Sequence, residues 1–417
     1  MICERNGASD AAASGWRVSE GPEGTGAERR RRAPINVAFV NGGILGLLSY
    51  ANWVRGAFEG GDEINAEHFV LSEDPSFVER AIRRALCAKL LPDVRGWHNV
   101  DLARYRRELN AGLQARRRLL ARGLERFDVL HFHRQATAYA SLDLMERVPS
   151  IVSIDCTQTC VLQDATTDRE RWSIGFNVRR DGEIFHRAFA IVSTSHWAER
   201  ELRRMYPDCA APVHVMPNPV PLDVFARSWP DERRQRANPR VQFLFIGGDF
   251  PRKGGFELLD AWVEGGLARH ADLTIVTDWR IDRAIPPGVS FLRHIRGQTP
   301  EWTNAWRAAD VFVMPTRNEA FGLVYQEAAA AGLPAIGSWL NAVPEIILDG
   351  ETGLLIPPGH RAQLIAAMEA MIASPDRRHR MGRAARQKIE ADADPGSHRR
   401  KIVALMTQAA NGDESRQ

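Results

Sequence analysis

Short apolar runs rich in β-branched residues alternate along this chain with longer segments of helical periodicity, and the alternation occurs in both halves. Strands and helices in such alternation are typical of parallel sheets covered by helices on both faces. We predict an α/β protein of two doubly wound, Rossmann-like domains that face a central cleft. The predicted strands span residues 35–40, 67–71, 128–132, 150–154, 189–193 and 213–216 in the first half, and 241–246, 273–277, 289–292, 311–314, 335–337 and 354–356 in the second.

A proline-rich segment at residues 216–221 predicts the linker between the two domains. Each proline fixes its own φ and disfavours helix in the residue before it. The predicted domains therefore span residues 34–215 and 216–390, and residues 391–417 form a last helix and a tail. Residues 1–33 are rich in Ala, Gly, Glu and Arg and poor in large apolar types. We expect this leading segment to be disordered.

Composition excludes several classes of protein. The formal net charge is +3 over 417 residues, so the overall charge does not indicate a nucleic-acid partner. Five scattered cysteines are too few for a disulfide framework, and their odd number favours a reducing compartment. No apolar run approaches the roughly 20 residues that span a bilayer, and the first thirty residues lack the apolar stretch of a signal peptide. We expect a cytoplasmic protein.

A glycine-rich loop with two adjacent cations follows the predicted strand 241–246. It reads Gly-Gly-Asp-Phe-Pro-Arg-Lys-Gly-Gly over residues 247–255 and contains Arg252 and Lys253. Glycines let the backbone approach a ligand closely, a helix start offers free N–H groups, and two cations supply charge for a diphosphate. The alternative is a solvated turn with surface charges, because a glycine-rich loop by itself is weak evidence.

Two glutamates flank a predicted helix start in the second half. Glu319 lies in the loop, Phe321, Gly322 and Leu323 lie at the helix start, and Glu327 lies one to two turns into the helix. A helix start attracts phosphate oxygens, and a carboxylate on either side can accept paired hydrogen bonds from sugar hydroxyls. A nucleotide-sugar carries such diols on its ribose and on the transferred sugar. Two glutamates eight residues apart are also compatible with plain surface charge.

These residues and their surroundings resemble the signature of glycosyltransferase family 4. The similarity comprises the E-x7-E motif from Glu319 to Glu327, the loop 252–254, the linker 218–220, and the segments 343–345 and 349–355. It is strong over residues 216–360 and weak over residues 35–215. The resemblance implies the GT-B fold, with an N-terminal acceptor-side domain, a C-terminal nucleotide-sugar-binding domain and a last helix that packs back on the N-terminal domain.

The resemblance also implies a role for each residue of the two loops. Arg252 and Lys253 bind the diphosphate, Glu319 the donor sugar, Glu327 the ribose, and the amides of Phe321, Gly322 and Leu323 the distal phosphate. The two cations stabilise the leaving group as negative charge grows on it, so no metal and no cofactor besides the donor substrate is expected. The family is retaining, and the departing phosphate can itself take the acceptor proton, so we name no protein base.

In the first half, Gly42 and Gly43 follow the first predicted strand. They resemble the loop with which the family lines the donor diphosphate and the acceptor. His131 and His133 lie at the end of the third predicted strand, and the resemblance makes His133 the histidine that faces the donor sugar. A plain strand-to-helix turn and an ordinary structural histidine are the alternatives.

We predict a retaining, metal-independent glycosyltransferase that uses a UDP-, GDP- or similar nucleotide-sugar. Its acceptor is a glycan or a lipid-linked acceptor, in surface polysaccharide or glycolipid synthesis. The alternatives are a non-catalytic GT-B binding subunit and a nucleotide-sugar epimerase on the same fold. A dinucleotide-binding oxidoreductase does not fit, because no G-x-G-x-x-G follows the first strand. The chain departs from the family pattern at residues 247–248, 277–279 and 341–343, where relatives often have an arginine, a glycine and paired glycines, respectively.

Residues 102–126 predict an arginine-rich amphipathic helix. Eight arginines against Glu108 and Glu125 leave +6 in this segment. In one interpretation the apolar stripe faces the core and the basic face is solvated; in the other the helix rests on anionic lipid as a peripheral membrane contact. The stripe consists of Leu102, Tyr105, Leu109, Leu113, Leu120 and Leu124.

Overall fold

The computed structural model of the chain describes residues 34–42, 45–59, 61, 63–71, 75–88, 102–235 and 240–412. The predictions for residues 1–33, for Gly43 and for the tail after residue 412 lie outside the described residues.

Twelve strands occur in these residues and form two six-stranded sheets in which all strand pairs are parallel. The first sheet contains β1 (Ile35–Asn41), β2 (Ile64–Val70), β3 (Val129–His133), β4 (Ser150–Ile154), β5 (Ala190–Ser193) and β6 (Val213–Val215). The second contains β7 (Val241–Ile246), β8 (Ala271–Val276), β9 (Val289–Leu292), β10 (Val311–Met314), β11 (Ala335–Ser338) and β12 (Gly353–Ile356).

Most helices of the described residues lie between successive strands, as parallel pairing requires, and the last three follow the last strand. Those of the first half are α1 (Leu45–Ala57), α2 (Phe77–Leu86), α3 (Ala103–Arg122), α4 (Leu142–Arg147), α5 (Thr159–Asp164), α6 (Asp168–Arg187) and α7 (His196–Met205). Those that follow are α8 (Trp229–Gln235), α9 (Gly255–Glu264), α10 (Pro300–Ala308), α11 (Leu323–Ala330), α12 (Val343–Ile346), α13 (Arg361–Ala373), α14 (Pro375–Asp392) and α15 (Pro395–Asn411).

The order of the strands creates one switch point in each sheet. The first sheet runs β2-β1-β3-β4-β5-β6 and the second runs β12-β11-β10-β7-β8-β9. The chain therefore moves outward in opposite directions from the pair β1 and β3, and from the pair β7 and β10. Ligands of doubly wound sheets bind beyond the carboxyl ends of the strands at such points. We therefore expect a ligand-binding site in the loops that follow β1, β3, β7 and β10.

The two parallel sheets with helices confirm the predicted α/β class. The strands 150–154, 241–246, 289–292 and 311–314 have the predicted bounds. The largest error concerns β2, which begins at Ile64 rather than at residue 67. This edge strand starts with the polar-rich stretch Asn65 to His68, which hides its beginning from a search for apolar runs.

The buried face of α3 differs from the predicted apolar stripe. The buried residues of this helix include Glu108, Gly112, Ala115 and Leu119, whereas Leu120 is 45% exposed. The stripe lies at the edge of the packed face rather than at its centre. Leu124 is nevertheless buried in the core and Tyr105 packs against it, so the stripe faces the core in part.

Close packing explains the difference. A Cβ atom added at Gly112 would lie 2.7 Å from the amide nitrogen of Ala140 and 2.8 Å from Cβ of Tyr139. Only small residues allow this approach, so glycine and alanine mark the buried face. Glu108 is buried beside them because Asn177 Nδ2 donates to its carboxylate at 2.6 Å.

The last helix, α15, packs on the first sheet. Its Ile402, Leu405 and Met406 are buried in one cluster with Val37 and Phe39 of β1. The chain thus ends on the half in which it began. Within the described residues, no helix is long and apolar enough to cross a membrane.

Candidate functional site

The loops after β7 and β10 are joined by hydrogen bonds at the switch point of the second sheet. The amide of Arg317 and the hydroxyl of Thr316 donate to the main-chain oxygen of Arg252 at 2.9 and 3.2 Å. The Arg252 guanidinium in turn donates through Nη1 to the main-chain oxygen of Asn318 at 2.6 Å. Two segments about 65 residues apart in sequence therefore form a single structural unit.

Two glycines make this arrangement possible. Gly254 has a φ of 77°, and a Cβ atom there would lie 2.0 Å from the carbonyl oxygen of Pro315. Gly322 has a φ of 92°, and a Cβ atom there would lie 2.6 Å from the Tyr325 ring. Both backbones adopt the left-handed region that favours glycine. The first glycine brings the two loops together, and the second begins the helix α11.

Three of the predicted site residues meet at this point. Lys253 and Glu319 form a close ion pair, with only 15% and 12% of their side chains exposed. Arg252 lies 3.8 Å from the same carboxylate and also donates through Nε to Asp249 at 3.0 Å. The cations are therefore partly neutralised by protein carboxylates, and an arriving anion must compete with these groups.

The start of α11 offers an unpaired helix terminus with Glu327 beyond it. Gly322 is the N-cap and has no side chain with which to cap the helix, and among the described residues only the Tyr325 amide of the first turn bonds back to it. The first amide groups are therefore available to an anion. Burial raises the pKa of the half-buried Glu327 to about 8, and the nearby Lys253 charge opposes that rise. Hydroxyl donors from a ligand would favour its ionised form.

At the switch point of the first sheet, Asn41 and His133 occupy paired positions at the ends of β1 and β3. Both are buried. The side-chain amide of Asn41 and Nδ1 of His133 have no hydrogen-bond partner among the described residues. Tyr50 stacks on His133 with ring centroids 3.9 Å apart. Gly42 follows Asn41 and is buried. No hydrogen bond or ion pair joins these residues to Glu319 in the described part of the chain.

Burial keeps the histidines of β3 neutral. It holds the pKa of His133 well below the usual value, with the His131, His398 and Arg134 charges acting in the same direction. His131 is fully buried, contacts Ser153 Oγ through Nε2 at 2.7 Å, and has its pKa lowered to about 3, chiefly by burial. His131 is thus an ordinary core histidine. His133 can act toward a ligand as a neutral hydrogen-bonding group.

Loops at the carboxyl edges of the two sheets contact each other directly. The side chain of Asn318, one residue before Glu319, donates through Nδ2 to the main-chain oxygen of Cys160 at 2.9 Å. The same nitrogen donates to the Asp164 carboxylate at 2.5 Å. Both acceptors belong to α5, which follows β4.

A second contact joins α12 to the first turn of α7. The Glu345 carboxylate accepts hydrogen bonds from the amides of His196 and Trp197 at 2.8 and 2.6 Å. A carboxylate at a helix N-terminus is favoured by the free N–H groups and the helix dipole. The two carboxyl edges therefore form opposite walls of one cleft.

The residues that join the two walls, and the unusual backbone of Arg134 and Asn341, were not predicted from the sequence. Arg134 follows β3 with a φ of 85°, a conformation that residues with a Cβ atom rarely adopt. Asn341 has a φ of 48°, and its Nδ2 donates to the main-chain oxygen of Glu319 at 2.8 Å. The departure from paired glycines at residues 341–343 was a signal for Asn341. No sequence pattern marks Arg134.

Family models match both halves of the chain. Residues 67–224 match the model described as "Glycosyltransferase Family 4", and residues 215–374 match that described as "Glycosyl transferases group 1". Together they span residues 67–374, more than half of the chain. The chain belongs to the glycosyltransferase family 4 group of GT-B proteins, as the E-x7-E loop and the linker predicted.

The chain is similar in sequence to proteins named glycogen synthase and D-inositol 3-phosphate glycosyltransferase. The chain is 27% identical over 286 residues to glycogen synthase of Mycobacterium tuberculosis, an alignment that covers 64% of this chain and 65% of the relative. It is 28% identical over 282 residues to D-inositol 3-phosphate glycosyltransferase of Arthrobacter sp., covering 62% and 66%. The chain thus spans slightly less than two thirds of the length of these relatives.

Solved structures share the fold. Sucrose-phosphate synthase from Thermosynechococcus elongatus superposes with a TM-score of 0.66 at 18% identity, covering 90% of this chain and 99% of that one. Anabaena Alr3699/HepE, solved with UDP and glucose, superposes with a TM-score of 0.61 at 14% identity, covering 89% and 99%. At these identities the similarity supports the GT-B architecture alone.

Gly254→Ala should destabilise the protein, because the new methyl group cannot fit against Pro315. We expect a loss of about 2 kcal/mol or more in the free energy of unfolding, from strain at positive φ plus the clash. Chemical denaturation measures it. Gly248→Ala is the matched control in the same loop, since no atom lies within 4 Å of its added Cβ. Equal stability of the two variants would contradict the close approach of the loops.

Proposed function

We propose that this protein is a retaining glycosyltransferase that moves a sugar from a nucleotide-sugar to a glycan or lipid-linked acceptor. The observation that carries the proposal is the convergence of Arg252, Lys253 and Glu319 beside the uncapped start of α11. A nucleotide-sugar has one anionic diphosphate between two diols. The site offers cations and free amides for the diphosphate, and one carboxylate for each of the two diols.

Each residue has a role in this proposal. Arg252 and Lys253 bind the diphosphate, and the amides of Gly322 and Leu323 bind its distal phosphate together with that of Phe321. Glu319 binds hydroxyls of the transferred sugar, and Glu327 binds the ribose diol. His133 faces the donor sugar, and Gly42 and Gly43 line the donor diphosphate and the acceptor.

The chemistry follows from the direction in which charge moves. As the glycosidic bond breaks, its electron pair goes to the departing phosphate, and fixed cations in a dry cleft stabilise that growing charge. The acceptor hydroxyl attacks from the leaving-group face and gives its proton to the departing phosphate. The configuration at the anomeric carbon is retained, and neither a protein base nor a metal is assigned a part.

The donor is a UDP- or GDP-type nucleotide-sugar in this proposal. The Anabaena protein of the same fold was solved with UDP and with UDP-glucose, which favours a uridine nucleotide among these donors. Relatives named glycogen synthase and phosphatidyl-myo-inositol mannosyltransferase support a glycan or lipid-linked acceptor. We place the activity in surface polysaccharide or glycolipid synthesis, at the cytoplasmic side of the membrane.

A screen of nucleoside diphosphates by thermal shift tests the donor site. The right nucleotide should raise Tm by mass action, and Glu327→Gln should remove most of that rise. Ribose hydroxyls favour the ionised form of Glu327, whose pKa without ligand is about 8. The affinity for the nucleotide should therefore fall as pH drops from 9 to 7, by at most about tenfold per pH unit.

Glu327→Gln should also flatten this pH dependence, because the amide does not titrate. Glu351→Gln, a change of the same kind at an exposed residue of the loop before β12, is the matched control. A nucleotide response that is the same in wild type and Glu327→Gln would remove Glu327 from the site.

Retention and metal independence are tested together with the purified protein, its donor and an acceptor. The product should keep the anomeric configuration of the donor, as read by NMR, and EDTA should leave the rate unchanged. Lys253→Ala should lower kcat about a hundredfold, the usual cost of removing one group that stabilises transition-state charge. Lys401→Ala on the exposed side of α15 is the control. Inversion, or loss of activity in EDTA, would contradict the mechanism.

Peripheral membrane contact through α2 and α3 is part of the proposal. These helices pack on each other through Arg118 and Glu79, and they expose Phe77 to 76% and Leu120 to 45%. Exposed apolar groups beside arginines suit an anionic lipid surface. Several arginines of α3 are already neutralised within the fold, by Glu108, Asp143, Glu79 and Glu67. The apolar pair should therefore contribute more than the charge.

Replacing Phe77 and Leu120 together by Ser should reduce binding to phosphatidylglycerol vesicles at least tenfold, since burying one such side chain is worth about 1.5–3 kcal/mol. Vesicle co-sedimentation measures it. Val263→Ser, at a residue of α9 that is 61% exposed, is the matched control. Equal binding by the two variants would exclude this surface.

A further inference from the structure

The loop that carries Glu319 has a second face, directed at the first half of the chain. Asn318 donates from one side-chain nitrogen to two acceptors on α5, the main-chain oxygen of Cys160 and the carboxylate of Asp164. An amide NH2 group has two hydrogens, so these two bonds use its full donor capacity. The side chain of Asn318 is thus committed to the opposite wall of the cleft.

The main chain of the same residue is committed to the proposed donor site. Its carbonyl oxygen accepts from Arg252 Nη1 at 2.6 Å, and it lies 3.0 Å from Thr316 Oγ1, whose single hydrogen is shared between this oxygen and the Arg252 carbonyl. Glu319 follows it directly in the chain. Asn318 therefore connects Arg252 and the neighbouring Glu319 to α5.

Asn341 adds a second connection of the same kind. Its Nδ2 donates to the main-chain oxygen of Glu319 at 2.8 Å, and its Oδ1 accepts from Gln163 Nε2 at 3.4 Å. Gln163 belongs to α5, as do the partners of Asn318. Through the side chains of Asn318 and Asn341, the main chain at residues 318 and 319 is thus connected to α5 of the first half.

We propose that Asn318, supported by Asn341, is a positioning residue that holds Arg252 and Glu319 in register with the acceptor-side wall. The inference rests on the proposed function. Transfer requires the donor on one half and the acceptor on the other to meet within a fraction of an ångström, and small misplacements are costly in rate. Most groups assigned to the nucleotide belong to the second half, and the bonds of the Asn318 side chain involve none of them. Loss of the Asn318 bonds should therefore lower kcat and leave nucleotide affinity intact.

The test compares Asn318→Ala and Asp164→Ala with wild type in steady-state transfer and in nucleoside diphosphate binding. Each change should lower kcat about tenfold or more, as expected for loss of the hydrogen bond between Asn318 and the Asp164 carboxylate. The Kd of the nucleoside diphosphate should stay within twofold. The double variant should be no slower than Asn318→Ala alone, because both changes remove the same bond.

Two further variants separate positioning from folding. Asp164→Asn keeps an oxygen that can accept from Asn318, so it should retain most of the wild-type kcat. Asp168→Ala removes an exposed carboxylate for which no hydrogen bond or ion pair to the second half occurs among the described residues, and it should match wild type. Unchanged kcat in Asn318→Ala, or losses that multiply in the double variant, would overturn the proposal.

Amide hydrogen exchange tests the same bonds without any turnover. Asn318→Ala should raise exchange in Thr159–Asp164 relative to Asp168→Ala, and equal exchange would overturn the proposal. If wild type transferred sugar from no nucleotide-sugar, the proposed function would fail, and the exchange result would still decide whether Asn318 joins the two walls.

Discussion

The main-chain oxygen of Arg252 is the point on which the site depends. It receives one hydrogen bond from the amide of Arg317 and one from the hydroxyl of Thr316, and these bonds hold together the loops after two adjacent strands. Parallel strands β7 and β10 place the loops side by side, but strand pairing alone does not fix their conformation. The carbonyl bonds do so, and the left-handed Gly254 lets the loops approach closely enough to form them.

Electrostatic balance follows from that geometry. Once the loops are joined, the cations Arg252 and Lys253 lie beside Glu319, with Asp249 as a further partner of Arg252. Two positive charges are thus matched by two negative ones in the absence of a ligand. The arrangement avoids burying an unpaired charge, which would be costly. A bound diphosphate would replace the carboxylates as partner of the cations and leave Glu319 free to accept hydrogen bonds from hydroxyls.

Much of this could be read from the sequence, because its signals are local. The β-branched runs marked the strands, and the loops of Arg252 and Glu319 were found because cations, glycines and carboxylates stand next to strand ends. Contacts between distant segments left no such signal. Asn318 and Asp164 are 154 residues apart, and nothing in either segment indicates the other. The full buried face of α3 was missed for a related reason: it depends on the close approach of Gly112 to the backbone of a turn that follows β3.

The connections between the halves limit how the cleft can move. The chain crosses from the first sheet to the second at residues 216–221 and returns before α15. The crossings are joined to each other, since the Val220 amide donates to the Ala393 carbonyl at 3.2 Å and His398 Nδ1 lies 3.1 Å from the Pro217 carbonyl oxygen. Because the two crossings lie side by side, the two halves can rotate about the line through them more easily than they can slide past each other. Because Asn318 and Glu345 contact the first half at the cleft itself, such a rotation must break these bonds first, and so it would disturb the loop that carries Glu319.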